Sequence, residues 1–158
     1  MNANAFFDLV RDGNLFASKQ ALAEDPKLAE QRDPRGSTPL ILAAYYNHHE
    51  LVQHLLGLGI AVDATDASGN TALMGACFKG HTESARVLIE AGADVNARSG
   101  MGATCLIFAV SFNKFEIARM LVEHGADLSA KDARGHTALF HARSQGLPEM
   151  EALLTEAG

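Results

Sequence analysis

Apolar and polar side chains alternate along the chain with the spacing of short amphipathic helices. In one segment the residues at i, i+1, i+4 and i+5 share a helical face and are all apolar: Leu51, Val52, Leu55 and Leu56. An alanine-rich apolar stretch, TPLILAAYY, precedes this segment, and a break at Asn47 separates the two. Similar breaks follow at Gly80, Asn113 and Gly146. The pattern predicts pairs of short helices that recur along the chain.

The recurrence has a fixed period. Four landmarks return at a step of 33 residues: a first glycine, a threonine two residues later, a leucine two further on, and a second glycine. They are Gly36, Gly69, Gly102 and Gly135; Thr38, Thr71, Thr104 and Thr137; Leu40, Leu73, Leu106 and Leu139; and Gly59, Gly92, Gly125 and Gly158. One period held at four positions over four copies indicates a repeat protein.

Local signals place the helix ends within each unit. Asp33, Asp66 and Asp132 precede the glycine-containing turn, and Ser99 takes this place in one unit. The threonine that follows suits a helix N-cap, and Pro39 suits the first helical position. The second glycine suits the left-handed position that ends a helix. Each unit is thus predicted as turn, helix, break and helix.

The units DPRGSTPLILAAYYNHHELVQHLLGLGIAVDAT and DASGNTALMGACFKGHTESARVLIEAGADVNAR resemble ankyrin repeats. The resemblance implies an all-α solenoid of stacked antiparallel helix pairs with β-turn fingers. It divides a single domain, 1–158, into internal repeats at 33–65, 66–98 and 99–131 and a C-terminal capping repeat at 132–158. Residues 1–32 resemble a degenerate N-terminal capping repeat, with one extra residue near Pro26. The family's TPLH reads TPLI, TALM, TCLI and TALF here, so the histidine that commonly ties neighbouring turns is absent.

The last unit carries polar residues where the internal units are apolar or small. Its second helix has Glu151 and Thr155 at two of the four facing positions, and its first helix has His141 and Arg143. Burying an unpaired arginine or glutamate is costly, so we expect Arg143 and Glu151 to face water. We therefore expect this unit to be a cap that completes the array.

Composition excludes several classes of protein. The chain has 158 residues, 47% of them hydrophobic and 20% charged, and its formal net charge is −6. This acidic balance disfavours binding to nucleic acid or to an anionic membrane. Two cysteines cannot form a disulfide framework, and no apolar run reaches the roughly 20 residues of a transmembrane helix. The N-terminus has no basic region of a signal peptide. We expect a cytoplasmic protein.

Histidine and cysteine provide no recognisable reactive motif. His136 and His141, like His49 and His54, are five residues apart, which is neither the i,i+4 pair nor the Cys/His spacing of a zinc site. Cys77 and Cys105 fall at packing positions, where cysteine acts as a small hydrophobe. We therefore predict no enzyme activity, no metal site and no cofactor.

Residues that the repeat does not require are the candidates for binding. The resemblance implies a concave groove built from the finger tips and the ends of the first helices. Aromatic residues at four of these positions predict one contiguous apolar stripe with a basic rim, although ordinary packing under a neighbouring finger would also explain some of them. The predicted partner-binding residues are Tyr45, Tyr46, Phe78, Lys79, Phe112, Arg35, Met101 and Arg134.

These observations favour a protein–protein interaction module. Its groove would hold a protein partner of unknown identity, and the chain would act as a small adaptor, inhibitor or immunity-type protein, monomeric when unbound. Two alternatives belong to other classes: a structural or self-associating repeat protein, and a ligand binder or enzyme that uses histidine or cysteine chemistry.

Overall fold

The computed structural model describes residues 1–157 and shows ten α-helices and one short 3-10 helix within them. The α-helices are α1 (Ala3–Asp12), α2 (Leu15–Glu24), α3 (Pro39–Tyr45), α4 (His49–Gly57), α5 (Ala72–Lys79), α6 (Thr82–Glu90), α7 (Cys105–Ser111), α8 (Phe115–Glu123), α9 (Ala138–Ser144) and α10 (Pro148–Ala157). The 3-10 helix, Pro26–Glu30, lies at the predicted irregular junction between the first two units.

The helices stack as a solenoid. Consecutive helices form five pairs, and each first helix packs against the first helix of the next unit, from α1 through α3, α5 and α7 to α9. The second helices form a parallel row, from α2 to α10. Each unit therefore packs mainly against its neighbours and closes a continuous apolar core between the two rows. The predicted all-α solenoid is confirmed.

Threonine caps begin the first helix of each of the last four units. The hydroxyls of Thr38, Thr71, Thr104 and Thr137 each accept a hydrogen bond from the backbone N–H three residues later. Pro39 takes the first helical position of α3, where its missing N–H has no consequence. A cap of this kind stabilises a helix by about 1 kcal/mol.

Left-handed residues turn the chain between the two helices of a pair. Asn47 and Asn113 adopt φ values of 63° and 55°, and Gly80 and Gly146 take the equivalent places with φ values of 77° and 65°. Asparagine tolerates this region better than other residues with a β-carbon. The landmark Gly158 lies outside the described residues.

The finger turns are held by one side-chain oxygen each. Asp33 Oδ1 accepts the backbone N–H groups of Arg35 and Ser37, and Asp66 and Asp132 repeat this arrangement two and four residues ahead. In the fourth unit the hydroxyl of Ser99 takes the same role. The turn that the aspartate pattern predicts is therefore formed in every one of these units.

Arginines join neighbouring fingers where the family's histidine is missing. Arg98 Nη1 donates to the carbonyl of Gly102 in its own finger, at 3.0 Å, and to the carbonyl of Lys131 in the next, at 2.7 Å. Nearer the N-terminus, Arg32 Nη1 donates in the same way to the carbonyls of Gly36 and Thr65. Links between fingers thus persist without the histidine.

The last unit carries an exposed ion pair between its two helices. In the last unit Arg143 Nε lies 3.0 Å from Glu151 Oε1, and both side chains contact solvent. This exposure agrees with the expectation that neither charge is buried.

No helix among residues 1–157 has both the length and the apolar character needed to cross a bilayer.

Candidate functional site

Four aromatic rings lie exposed at the ends of the first helices. Tyr45, Tyr46, Phe78 and Phe112 keep between 37% and 46% of their surface accessible, although each belongs to a unit whose core is already filled by smaller apolar residues. Their positions follow from the repeat, because the C-terminal end of α3, α5 and α7 points to the same face of the stack. This face, made of the fingers and the first helices, is termed the groove face.

The rings form two pairs. Tyr45 and Tyr46 pack edge to face with their centroids 5.2 Å apart, and Phe78 and Phe112 do the same at 4.7 Å. Lys79, which follows Phe78 in the sequence, places its Nζ 5.2 Å from the centroid of the Tyr45 ring. Tyr45 and Phe78 both line one cavity, and the contiguity of the stripe stays a prediction.

This apolar cavity has a volume of about 360 Å³ and lies between the fingers and the first helices of three consecutive units. Met74, Gly75 and Phe108 line it, and Tyr45 and Phe78 flank it. The few polar groups on its wall include Ser68, Asn70 and Ser99. Pockets of this size that are mostly apolar with a few polar groups are typical of binding sites.

Gly75 explains why the cavity exists. The equivalent positions of the neighbouring units, 33 residues away on either side, hold Leu42 and Phe108. A β-carbon at Gly75 would lie 3.6 Å from Tyr45 Cδ2, an ordinary van der Waals distance. Sterics therefore do not require glycine here, and its missing side chain leaves the space open.

A second, more polar cavity of about 590 Å³ adjoins the first along the groove face. Arg35, Tyr46 and Asp66 line it, and Tyr45 contributes to both cavities. Asp33 faces this space as well, with its Oδ2 3.6 Å from Arg11 Nη2. The second cavity thus offers charged groups beside the apolar one.

The remaining predicted residues divide between the cavity and the last finger. Met101 is 78% exposed and lines the apolar cavity. Arg134 lies exposed in the last finger, where its backbone N–H donates to Asp132, and it lines neither of the two cavities. Gly75 and Phe108 are absent from the predicted site. The signal that identifies them is the change in side-chain size at one repeat position, from Leu42 to Gly75 to Phe108.

The cysteines are packing residues. Cys77 and Cys105 are free and fully buried in α5 and α7. Burial raises the pKa of the Cys77 thiol well above its ordinary value, and the neighbouring Cys105 raises it further. A neutral, inaccessible thiol is a poor nucleophile, which agrees with the predicted structural role.

Two histidines tie one unit to the next. The ring Nε2 of His48 lies 2.8 Å from the carbonyl oxygen of Arg11, and that of His81 lies 2.9 Å from the carbonyl oxygen of Tyr45. Burial lowers the pKa of His81, and the neighbouring Lys79 and Lys114 lower it too. The hydrogen bond to the Tyr45 carbonyl acts in the opposite direction and raises this pKa. The His81 bond also fixes the backbone that carries Tyr45.

The last finger brings together three polar side chains. Asp132, His136 and His141 each offer one ligand atom, and these atoms all lie within 4.8 Å of one another. The backbone N–H of His136 lowers the pKa of Asp132 to about 2, against partial burial, and His141 and the backbone N–H of Arg134 lower it as well. The spacing of the histidines alone does not reveal this cluster, because the turn supplies its carboxylate.

Two family models match the chain. The model described as ankyrin repeats (3 copies) matches residues 6–99, and the model described as ankyrin repeats (many copies) matches residues 88–142. No curated protein matches the chain.

Proposed function

The chain belongs to the ankyrin-repeat family, and from this membership we propose that it binds a protein partner through its groove face. Ankyrin repeats generally serve as protein–protein interaction modules. The single observation that supports the groove face as the site is the apolar cavity at Gly75, flanked by exposed aromatic rings.

The chemistry of the groove face indicates what the partner presents. An apolar cavity of about 360 Å³ accommodates a large apolar or aromatic side chain, which would pack against Met74, Phe78 and Phe108. Burial of such an anchor contributes about 1.5–3 kcal/mol, and anchors of this kind dominate most interfaces. Arg35 lines the adjoining cavity and Lys79 Nζ lies 5.2 Å from the Tyr45 ring, so both cations suit an acidic group next to the anchor.

The role proposed for the whole protein is that of a small adaptor, inhibitor or immunity-type protein, which acts by occupying a surface of its partner. We also propose that it is monomeric when unbound and that it resides in the cytoplasm. The buried, unpaired thiols of Cys77 and Cys105 agree with a reducing compartment.

The experiment tests whether the apolar cavity is needed for binding, by filling it with a side chain at position 75. In Gly75→Leu, the new side chain takes the direction of the equivalent Leu42 and occupies the cavity. Gly57→Leu is the matched control, because Gly57 is also helical and a β-carbon there meets no atom within 4 Å. The wild-type chain and both variants are immobilised and used to capture proteins from native lysate, with identification by mass spectrometry.

We expect one partner to be retained by the wild type and by Gly57→Leu and to be lost from Gly75→Leu. Tyr46→Ala combined with Phe112→Ala, which removes two exposed rings, should weaken binding at least about tenfold. A folded Gly75→Leu chain that retains the partner with unchanged affinity would place the interface elsewhere. A mass in light scattering that rises with concentration would identify a second copy as the partner.

A further inference from the structure

The cluster in the last finger has a geometry that the repeat itself does not demand. His141 Nε2 lies 2.8 Å from Asp132 Oδ2, and the ligand atom of His136 lies within 4.8 Å of both. All three side chains are half-buried. The cluster therefore holds two imidazoles and a carboxylate at one accessible point.

Comparison with the other units shows which features of the cluster belong to the repeat and which are specific to the last unit. In each finger one side-chain oxygen of the aspartate or serine that begins the turn accepts two backbone N–H groups. In the last finger Asp132 Oδ1 accepts those of Arg134 and His136. This leaves Asp132 Oδ2 for another partner. The position of His136 holds Ser37, Asn70 and Ala103 in the other units, and that of His141 holds Leu42, Gly75 and Phe108. Neither histidine is needed to form the turn or the helix.

The surrounding structure orients two of the three groups, Asp132 and His136. Two backbone hydrogen bonds hold the carboxylate of Asp132, so its free oxygen has a defined direction. The ring of His136 stacks on Phe140 with the centroids 3.8 Å apart and an interplanar angle of 18°. Supporting contacts of this kind orient metal ligands and raise affinity.

We propose that Asp132, His136 and His141 bind a divalent transition metal ion of the zinc type. Two imidazoles and one carboxylate are typical donors for Zn²⁺ and poor donors for Ca²⁺ or Mg²⁺. Three protein ligands leave a coordination position for water. In a tetrahedral site with bonds of about 2.0–2.2 Å the ligand atoms lie about 3.3–3.6 Å apart. To admit the ion, the 2.8 Å contact between Asp132 and His141 lengthens slightly, and the ligand atom of His136, which lies within 4.8 Å of both, adjusts to the same spacing.

The experiment titrates metal-free, full-length protein with Zn²⁺ in a calorimeter and with Co²⁺ in visible absorption. The test variants are His136→Gln with His141→Gln, and Asp132→Asn, which retains an oxygen for the two backbone N–H groups. The matched control is His49→Gln with His54→Gln, because these histidines have the same spacing. Circular dichroism checks that each variant is folded.

We expect the wild type to bind one Zn²⁺ per chain and to show the intense visible bands of tetrahedral Co²⁺. Affinity should fall at least about tenfold in both test variants and stay within about twofold in the control. Folded wild-type protein that gives neither heat nor Co²⁺ bands would overturn the proposal. Undiminished Zn²⁺ affinity in the folded His136/His141 variant would also overturn it. Neither readout depends on the proposed protein partner.

Discussion

Gly75 lies in the middle of α5, where glycine lowers helix stability by about 0.5–1 kcal/mol relative to alanine. Its backbone is helical, and an added β-carbon would meet Tyr45 Cδ2 only at an ordinary 3.6 Å. The residue therefore costs stability without solving a steric problem. What the missing side chain provides is the apolar cavity, which connects this position to binding.

A methyl group at this position should stabilise the chain. We expect Gly75→Ala to raise the free energy of unfolding by up to about 1 kcal/mol, measured by urea titration. Gly80→Ala is the contrasting variant, because Gly80 has φ +77° and a β-carbon there would meet the Lys114 side chain at 2.7 Å; this variant should be less stable than wild type. A destabilised Gly75→Ala chain would show that the glycine is required by packing.

At the scale of the element, the fingers depend on hydrogen bonds that run both within a turn and across to the next. The aspartate or serine at the start of each turn closes it, and Arg98 then joins two successive fingers through the carbonyls of Gly102 and Lys131. Because a finger has little apolar core of its own, these polar links set its mobility.

Removing one such arginine should loosen two fingers. We expect Arg98→Leu to speed hydrogen exchange in residues 99–104 and 131–137 and to lower stability by about 1 kcal/mol. The control is Arg86→Leu, whose exposed side chain pairs with the exposed Glu83 of the same helix and contributes less than about 0.5 kcal/mol. Equal exchange profiles for the two variants would refute the role of Arg98.

The whole molecule resembles a linear array, since the main helix contacts among residues 1–157 lie within a unit or between neighbouring units. Stability in such an array is a sum of unit and interface terms. A core residue in the middle supports two interfaces, and one at the last described unit supports a single interface. The same substitution should therefore have different consequences at the two places.

Leu106 and Leu154 provide this comparison, because both are leucines with less than 5% of their surface exposed. We expect Leu106→Ala, in α7, to cost about 2–5 kcal/mol and to lower protection along the array. Leu154→Ala, in α10, should release mainly α9 and α10. Hydrogen exchange with mass spectrometry measures both, and identical, uniform losses in the two variants would argue for a single all-or-none unit.

The sequence by itself determined the period, the helix caps, the turn residues and the buried role of the cysteines. The caps and turns follow from interactions within about five residues, and the period and the packing role of the cysteines follow from comparison of the repeats. The threonine caps and the left-handed asparagines are clear cases, because one side chain and its own backbone decide the conformation.

Only the tertiary structure decided how the aromatic rings and the cavity are arranged on the groove face. Phe78 and Phe112 lie in different units, and their contact depends on how α5 and α7 pack, which a period does not specify. The cavity arises where Gly75 stands between two larger neighbours, and the Asp132 cluster arises where a turn carries its carboxylate beside a helix. The cavity depends on distances between stacked units, and the cluster depends on how the last turn folds against α9 within one unit.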